Sequence, residues 1–313
     1  MVKELRESSG APMMDCKKAL TESDGDMNKA VDWLRAKGIA KASKSAVREA
    51  SEGLVGLRAM TTNSDSREGD GLMLIEVNSE TDFVGRNEDF HKFVKEITDN
   101  VLQKYGTDEL NIADGKVDPE ALLQADGGAM QNKLTDAINV IRENIVLKRI
   151  EIIPGIDGAL LSSYVHGKVF SDHGLVLGSQ ASVVSLRFDG ASESINMDSV
   201  NEVGRKLAMH VVAASPLYAT KADVPGDFLE REREVLKEQM EEAGQAKGKK
   251  PEMVEKILEG KLSKRLAEIC LANQAHFAEE GAPVIEKHLK SSAAGLGLKK
   301  LSLGHFWRWT LGS

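Results

Sequence analysis

The chain has 313 residues, 41% of them hydrophobic and 29% charged, with a net charge of −8. That length leaves room for two or three domains, and the acidic balance argues against a general affinity for nucleic acid or an anionic membrane surface. The two cysteines, Cys16 and Cys270, cannot build a disulfide framework, and no apolar run approaches the length of a membrane span.

The first 38 residues read as three short helices. Val2 and Leu5 begin the first, which Ser8-Ser9-Gly10-Ala11-Pro12 breaks; Met13 to Leu20 forms the second, stopped by Ser23-Asp24-Gly25. The third runs from Met27 to Lys37 with Met27, Ala30, Val31 and Leu34 inward, and Gly38 ends it. A module of this size resembles the ubiquitin-associated type of domain. Met13 and Met14 are adjacent, so both cannot face inward on one helix. One of them is expected to supply exposed, adaptable apolar surface. Lys17 reads most simply as a solvated charge. Residues 39–52, with Lys41, Lys44 and Arg48 among small residues, follow as a polar linker or short helix.

Residues 53–153 form a first core unit. Leu54 to Met60 and Leu72 to Val77 are strands flanking a long polar loop, and Phe90, Phe93, Val94, Ile97 and Val101 recur at helical spacing behind an N-cap candidate, Asn87. Between the second strand and that helix lies Asn78-Ser79-Glu80-Thr81-Asp82-Phe83-Val84-Gly85-Arg86. A large aromatic on a short polar connection has two readings. Phe83 caps the domain's own core, the commoner arrangement and the preferred one on these residues alone, or it is a wedge for a partner's hydrophobic seam with Asp82 at its edge. Residues 107–130, rich in Asp and Gly, read as a loose insertion. A helix from about Gln131 to Asn144 and a strand from Ile145 to Ile153 close the unit.

From Ala159 strands followed by a helix occur again. Leu160 to Val169, Leu175 to Leu177 and Val183 to Phe188 are strand-like, and a helix from about Asp198 to Ala214 ends before Pro216. The second unit therefore takes in residues 154–224 and, after an interruption, 270–313. Hairpins and helices without regular alternation point to an α+β fold with a two-part core of related subdomains. The interruption, 225–269, carries Phe228, Val235, Leu236 and Met240 on one stripe and Val254, Ile257, Leu258, Leu262 and Leu266 on another. Two amphipathic helices joined by a Gly/Lys turn predict a projecting antiparallel coiled-coil hairpin.

Covalent chemistry leaves no trace. There is no Cys-x-x-Cys or His-x-x-x-His, and Gly244 to Lys250 has one residue too few between its glycines for a P-loop. No nucleophile elbow occurs. Each of the seven histidines reads more simply as a surface or satisfied core residue than as a base; His166 stands out because Gly167 allows another backbone to approach.

Val2-Lys3-Glu4-Leu5-Arg6, Gly10-Ala11-Pro12-Met13-Met14-Asp15-Cys16-Lys17-Lys18-Ala19-Leu20, Glu76 to Val84, Tyr164-Val165-His166-Gly167 and Met209 to Pro216 occur here in the order found in one family. On these segments the chain resembles elongation factor Ts, the guanine-nucleotide exchange factor of elongation factor Tu. The resemblance implies a binder without covalent chemistry, holding no nucleotide, magnesium or other cofactor of its own. It needs no direct nucleic acid or membrane partner. It also reverses the reading of Phe83: Asp82 and Phe83, within Thr81 to Val84, are implied to enter the GTPase near its magnesium and nucleotide. Met13, Met14 and Lys17 of the helical module and His166 of the core are implied to add contacts. Residues 270–300 match the family pattern poorly, and features such as Ile145 to Arg149 suggest a mitochondrial matrix protein whose presequence has been removed, a plastid or bacterial protein being the alternative. The rival function is a non-exchange interaction factor, for example a ubiquitin binder using the N-terminal helices.

Overall fold

The computed structural model describes residues 1–9, 11, 13–45, 48–60, 71–104, 112–189, 195–245 and 249–313. Helices α1 (Val2–Ser9), α2 (Met13–Glu22) and α3 (Met27–Ser45) bury Leu5, Cys16, Ala19, Leu20 and Ala30 among themselves. Asp24 and Gly25 are left-handed after α2, and Gly25 N–H donates back to Leu20 O at 2.8 Å, the closure that glycine makes cheap. Two expectations fail here. Helix α3 passes Gly38 and runs to Ser45. A mid-helix glycine costs only about 1 kcal/mol, which the alanines and lysines around it offset. Val31 is exposed rather than inward.

Strands β1 (Glu52–Ala59) and β2 (Leu72–Ser79) pair antiparallel, with residues 61–70 between them outside the described residues. A short 3₁₀ helix (Asp82–Arg86) leads to α4 (Glu88–Lys104). The stretch expected to be a loose insertion carries regular structure among its described residues. Strands β3 (Ile112–Ala113) and β4 (Lys116–Val117) form a small hairpin, and α5 (Pro119–Ile141) starts on Asp118, whose carboxylate accepts from Glu120 N–H at 2.9 Å. Helix α5 is kinked where Ala125 to Gly128 leave helical angles, so the Asp/Gly content marks a break within a helix. Residues 105–111 lie outside the described residues.

After β5 (Val146–Ile153) come β6 (Ala159–His166), β7 (Phe170–Asp172), β8 (Leu175–Gly178), β9 (Gln180–Asp189), α6 (Met197–Ala214), α7 (Gly226–Glu242), α8 (Pro251–Ile269), α9 (Ile285–Gly295) and β10 (Lys300–Thr310). The strands form two sheets, β3-β4-β5-β2-β1-β8-β7 and β10-β9-β6. The division of the core at residue 154 is therefore crossed: β8 pairs with β1, so the β7–β8 hairpin of the second half completes the first half's sheet. The continuous strand expected from Leu160 to Val169 stops at His166, because Gly167 takes a left-handed φ and turns the chain toward that sheet.

The layers follow from strand alternation. On β2, Met73, Ile75 and Val77 face α4 and α5, while Leu72 and Leu74 face the second sheet. Successive side chains of a strand point to opposite faces, so a strand buried on both sides reads as one continuous apolar run. The second sheet's far face, with Leu160, Val184 and Leu186, packs on α6 and α9. Between the sheets a buried carboxylate, Glu76, accepts from Arg149 Nε at 2.7 Å and from Gly312 N–H at 2.9 Å. The Arg149 guanidinium also lies over the Trp309 ring, 4.1 Å from its centroid. A buried charge is tolerated only when paired in this way.

Helices α7 and α8 run antiparallel, with Met240, Leu258 and Leu262 buried and Arg233 paired to Glu255 and Glu259. Val235, expected on the inner stripe, is exposed. Cys270 sits buried at the hairpin's base with Val224 and Ile269, and burial pushes its thiol above the usual range.

Candidate functional site

Ser79 ends β2 fully buried, and the next residues are tied to segments distant in sequence. Glu80 accepts from Asn144 N–H and pairs with Arg48 at 3.0 Å. Glu143 accepts from both groups of Thr81, the backbone N–H at 2.9 Å and the hydroxyl at 2.6 Å. One residue beyond the exposed pair, Val84 is buried in the core under α4, only 4% exposed. Gly85 lies close on β1, where an added Cβ would stand 3.3 Å from Leu54 Cδ2. Asn87 is an N-cap as expected, its side chain accepting from Asp89 N–H at 2.8 Å.

Fixed on both sides, the 3₁₀ helix can send only part of its surface outward. Asp82 is exposed, and the Phe83 ring is 80% exposed. That overturns the reading of Phe83 as a core cap, because the inward position is already taken by Val84. It also corrects the reading of Val84 as a contact residue, since its side chain is turned into the core, while Thr81 is half-buried with its hydroxyl donating to Glu143. An exposed phenylalanine beside a carboxylate, on a backbone tied down from beneath, is suited to insertion into an apolar seam.

The other candidate residues lie on separate elements. Met13 and Met14 are both exposed on α2, with Lys17 on the same side one turn later. The exposed apolar surface expected of one methionine is supplied by both, since Cys16, Ala19 and Leu20 already fill the inner face. His166 is exposed at the end of β6, its Nδ1 3.4 Å from the Tyr164 hydroxyl.

A second group of histidines escaped the sequence reading. His210 on α6, His276, and His288 on α9 stack edge to face, with ring centroids 5.3 Å and 5.8 Å apart. Burial pulls His276 down to about 4, with His210, His288 and Lys206 adding to the effect and Glu279 opposing it. His210 is also lowered by burial, against a hydrogen bond to Gln274. No short spacing links residues 210, 276 and 288, so only the fold could reveal them. Among the described residues no group of three His, Cys, Asp or Glu side chains is arranged to hold a metal, and no helix is long and apolar enough to cross a membrane. A cleft of about 670 Å³ lies along β5, lined by Lys116, Arg149, Glu151 and Trp309, away from Phe83.

The family described as Elongation factor TS matches residues 80–313, a stretch that begins at the loop carrying Phe83 and runs unbroken through 270–300. Full-length similarity extends further. An Elongation factor Ts of Maricaulis maris is 40% identical over 315 residues, spanning 100% of this chain and 91% of that protein. That of Allorhizobium ampelinum is 39% identical over 312 residues, 97% of this chain and 91% of the relative, and that of Rhizobium meliloti 38% over 297 residues, 95% and 87%.

Proposed function

The chain belongs to the elongation factor Ts family, and on that premise we propose that it loosens GDP from elongation factor Tu by driving Phe83, with Asp82 at its edge, into the GTPase beside its magnesium and nucleotide. It is a translation elongation factor and makes or breaks no covalent bond. The observation that carries the site assignment is the Phe83 ring, 80% exposed on a backbone held by Glu143 and anchored by Val84.

An apolar ring forced between packed elements of a partner causes a discrete rearrangement, because packed interiors switch rather than deform smoothly. If the rearrangement displaces magnesium ligands, the nucleotide phosphates lose their largest counter-charge. Each tenfold loss of nucleotide affinity requires about 1.4 kcal/mol of preference for the empty GTPase. Burying one phenylalanine supplies about 1.5–3 kcal/mol, roughly one to two factors of ten, so any larger loss of nucleotide affinity needs further contacts that hold the partner while the wedge acts. Met13, Met14 and Lys17 on α2 and His166 beyond β6 are our candidates for that grip, their exposure being what supports the assignment. In this account nucleotide and magnesium belong to the partner. The bacterial sources of the relatives favour a factor of the bacterial type, acting in a bacterial cytoplasm, over the mitochondrial matrix implied by the resemblance.

Release of labelled GDP from elongation factor Tu, with wild type and Phe83→Ala, tests the proposal. The variant is expected to lose at least about tenfold in release rate with its melting temperature unchanged; a wild-type rate would remove Phe83 from this role.

A further inference from the structure

Beneath Phe83 the 3₁₀ helix is held from α4 as well as by Glu143. His91 Nε2 lies 2.8 Å from Gly85 O. The carbonyl can only accept, so the imidazole carries its proton on Nε2. Gly85 O sits at the end of a five-residue 3₁₀ helix, where terminal carbonyls lack an internal partner and a buried one must find another. The His91 side chain is buried, and its ring packs on Phe170 of β7 with centroids 4.7 Å apart. One turn later on the same face of α4, Lys95 pairs with Asp172, also on β7, at 3.0 Å. One side chain therefore grips the backbone under Phe83 with its N–H and rests its ring on the hairpin that follows His166.

We propose that His91 is a positioning residue for nucleotide exchange, holding the helix beneath Phe83 stiff against the β7–β8 hairpin. The inference rests on the reading of Phe83 as the wedge. A wedge distorts a partner only as far as its own mount refuses to yield. On a loosened mount Phe83 still reaches the partner, so binding survives, but the loop relaxes in place of the GTPase. The signature is a loss of exchange rate without a matching loss of affinity.

The test compares GDP release at saturating factor, affinity for nucleotide-free elongation factor Tu, and melting temperature. The variants are Phe83→Ala, His91→Phe, His91→Ala, His91→Gln and the Phe83→Ala/His91→Phe double. His91→Phe keeps a ring against Phe170 without the donor, and His91→Ala removes both, so either one that folds reports on the lost N–H. The donor-less variants should lower the saturated rate about tenfold with affinity within about twofold. His91→Gln, whose amide N–H reaches roughly the position of Nε2, should recover most of the rate. In the Phe83→Ala background the His91 change should add little, because it acts through Phe83. A wild-type rate in the donor-less variants while Phe83→Ala is impaired overturns the role of His91 and leaves the wedge standing. An equal further loss in the Phe83→Ala background, or a fall in affinity matching the fall in rate, also overturns it. A wild-type rate in Phe83→Ala overturns the wedge and this inference with it.

Discussion

Phe83 and Phe277 are both exposed phenylalanines on connecting segments, yet the fold treats them in opposite ways. At Phe277 the ring is held: it stacks on His210 with centroids 5.2 Å apart and an interplanar angle of 24°. At Phe83 the backbone is held, by Glu143 before it and His91 after it, while the ring stands 80% exposed. Exposure alone therefore does not distinguish a ring that belongs to its own fold from one presented to another molecule. What is fastened differs between the two: the ring at Phe277, the mount at Phe83.

The sharpest contrast should come from acid. His276, beside Phe277, has its folded value lowered to about 4 against an ordinary value near 6.5. The unfolded state therefore binds the extra proton first as pH falls. The stability that a neutral His276 contributes is complete above about pH 6.5 and is lost as pH falls toward 4. Amide exchange at pH 7 and pH 4.5 should show residues 274–284 opening more than the backbone under Phe83, which Glu143 and the buried Val84 fix. Equal opening of both regions would erase the distinction.

Next in size, Val84→Ala should cost about 2 kcal/mol of stability in a denaturant titration, because it empties a buried position under α4. Phe83→Ala, one residue away, should leave the denaturation midpoint unmoved and lower GDP release at least about tenfold, about 1.4 kcal/mol at the barrier. Neighbouring residues with opposite effects would locate the boundary between anchor and wedge. The smallest effect is expected for Phe277→Ala: about 0.5–1 kcal/mol of stability, from the lost stack on His210, and an unchanged exchange rate. A large loss of exchange in that variant would show the two phenylalanines to be alike after all.

Periodicity identified most of the elements, because a helix or strand buries a face at its own repeat and needs no distant partner to declare it. Phe90, Phe93, Val94, Ile97 and Val101 announced α4, and the apolar runs announced β1, β2 and β9. Asn87 as the cap and α6 ending before Pro216 were equally local. The candidate site was legible only as a position. Residues 81–84 stood out as a polar connection containing an aromatic, and family resemblance, rather than pattern, pointed Phe83 outward.

Alone, the chain's order of residues determined the α+β class, the three-helix start and the paired helices α7 and α8, and it singled out residues 81–84 as a polar connection bearing an aromatic. Tertiary structure decided that β8 joins β1, so the halves share a sheet, that Val84 rather than Phe83 enters the core, and that His91 and Glu143 meet the same short helix. The reason is range. Glu143 reaches Thr81 across 62 positions and Gly312 reaches Glu76 across 236. Whether such groups meet depends on the packing of every layer between them, which no local repeat encodes.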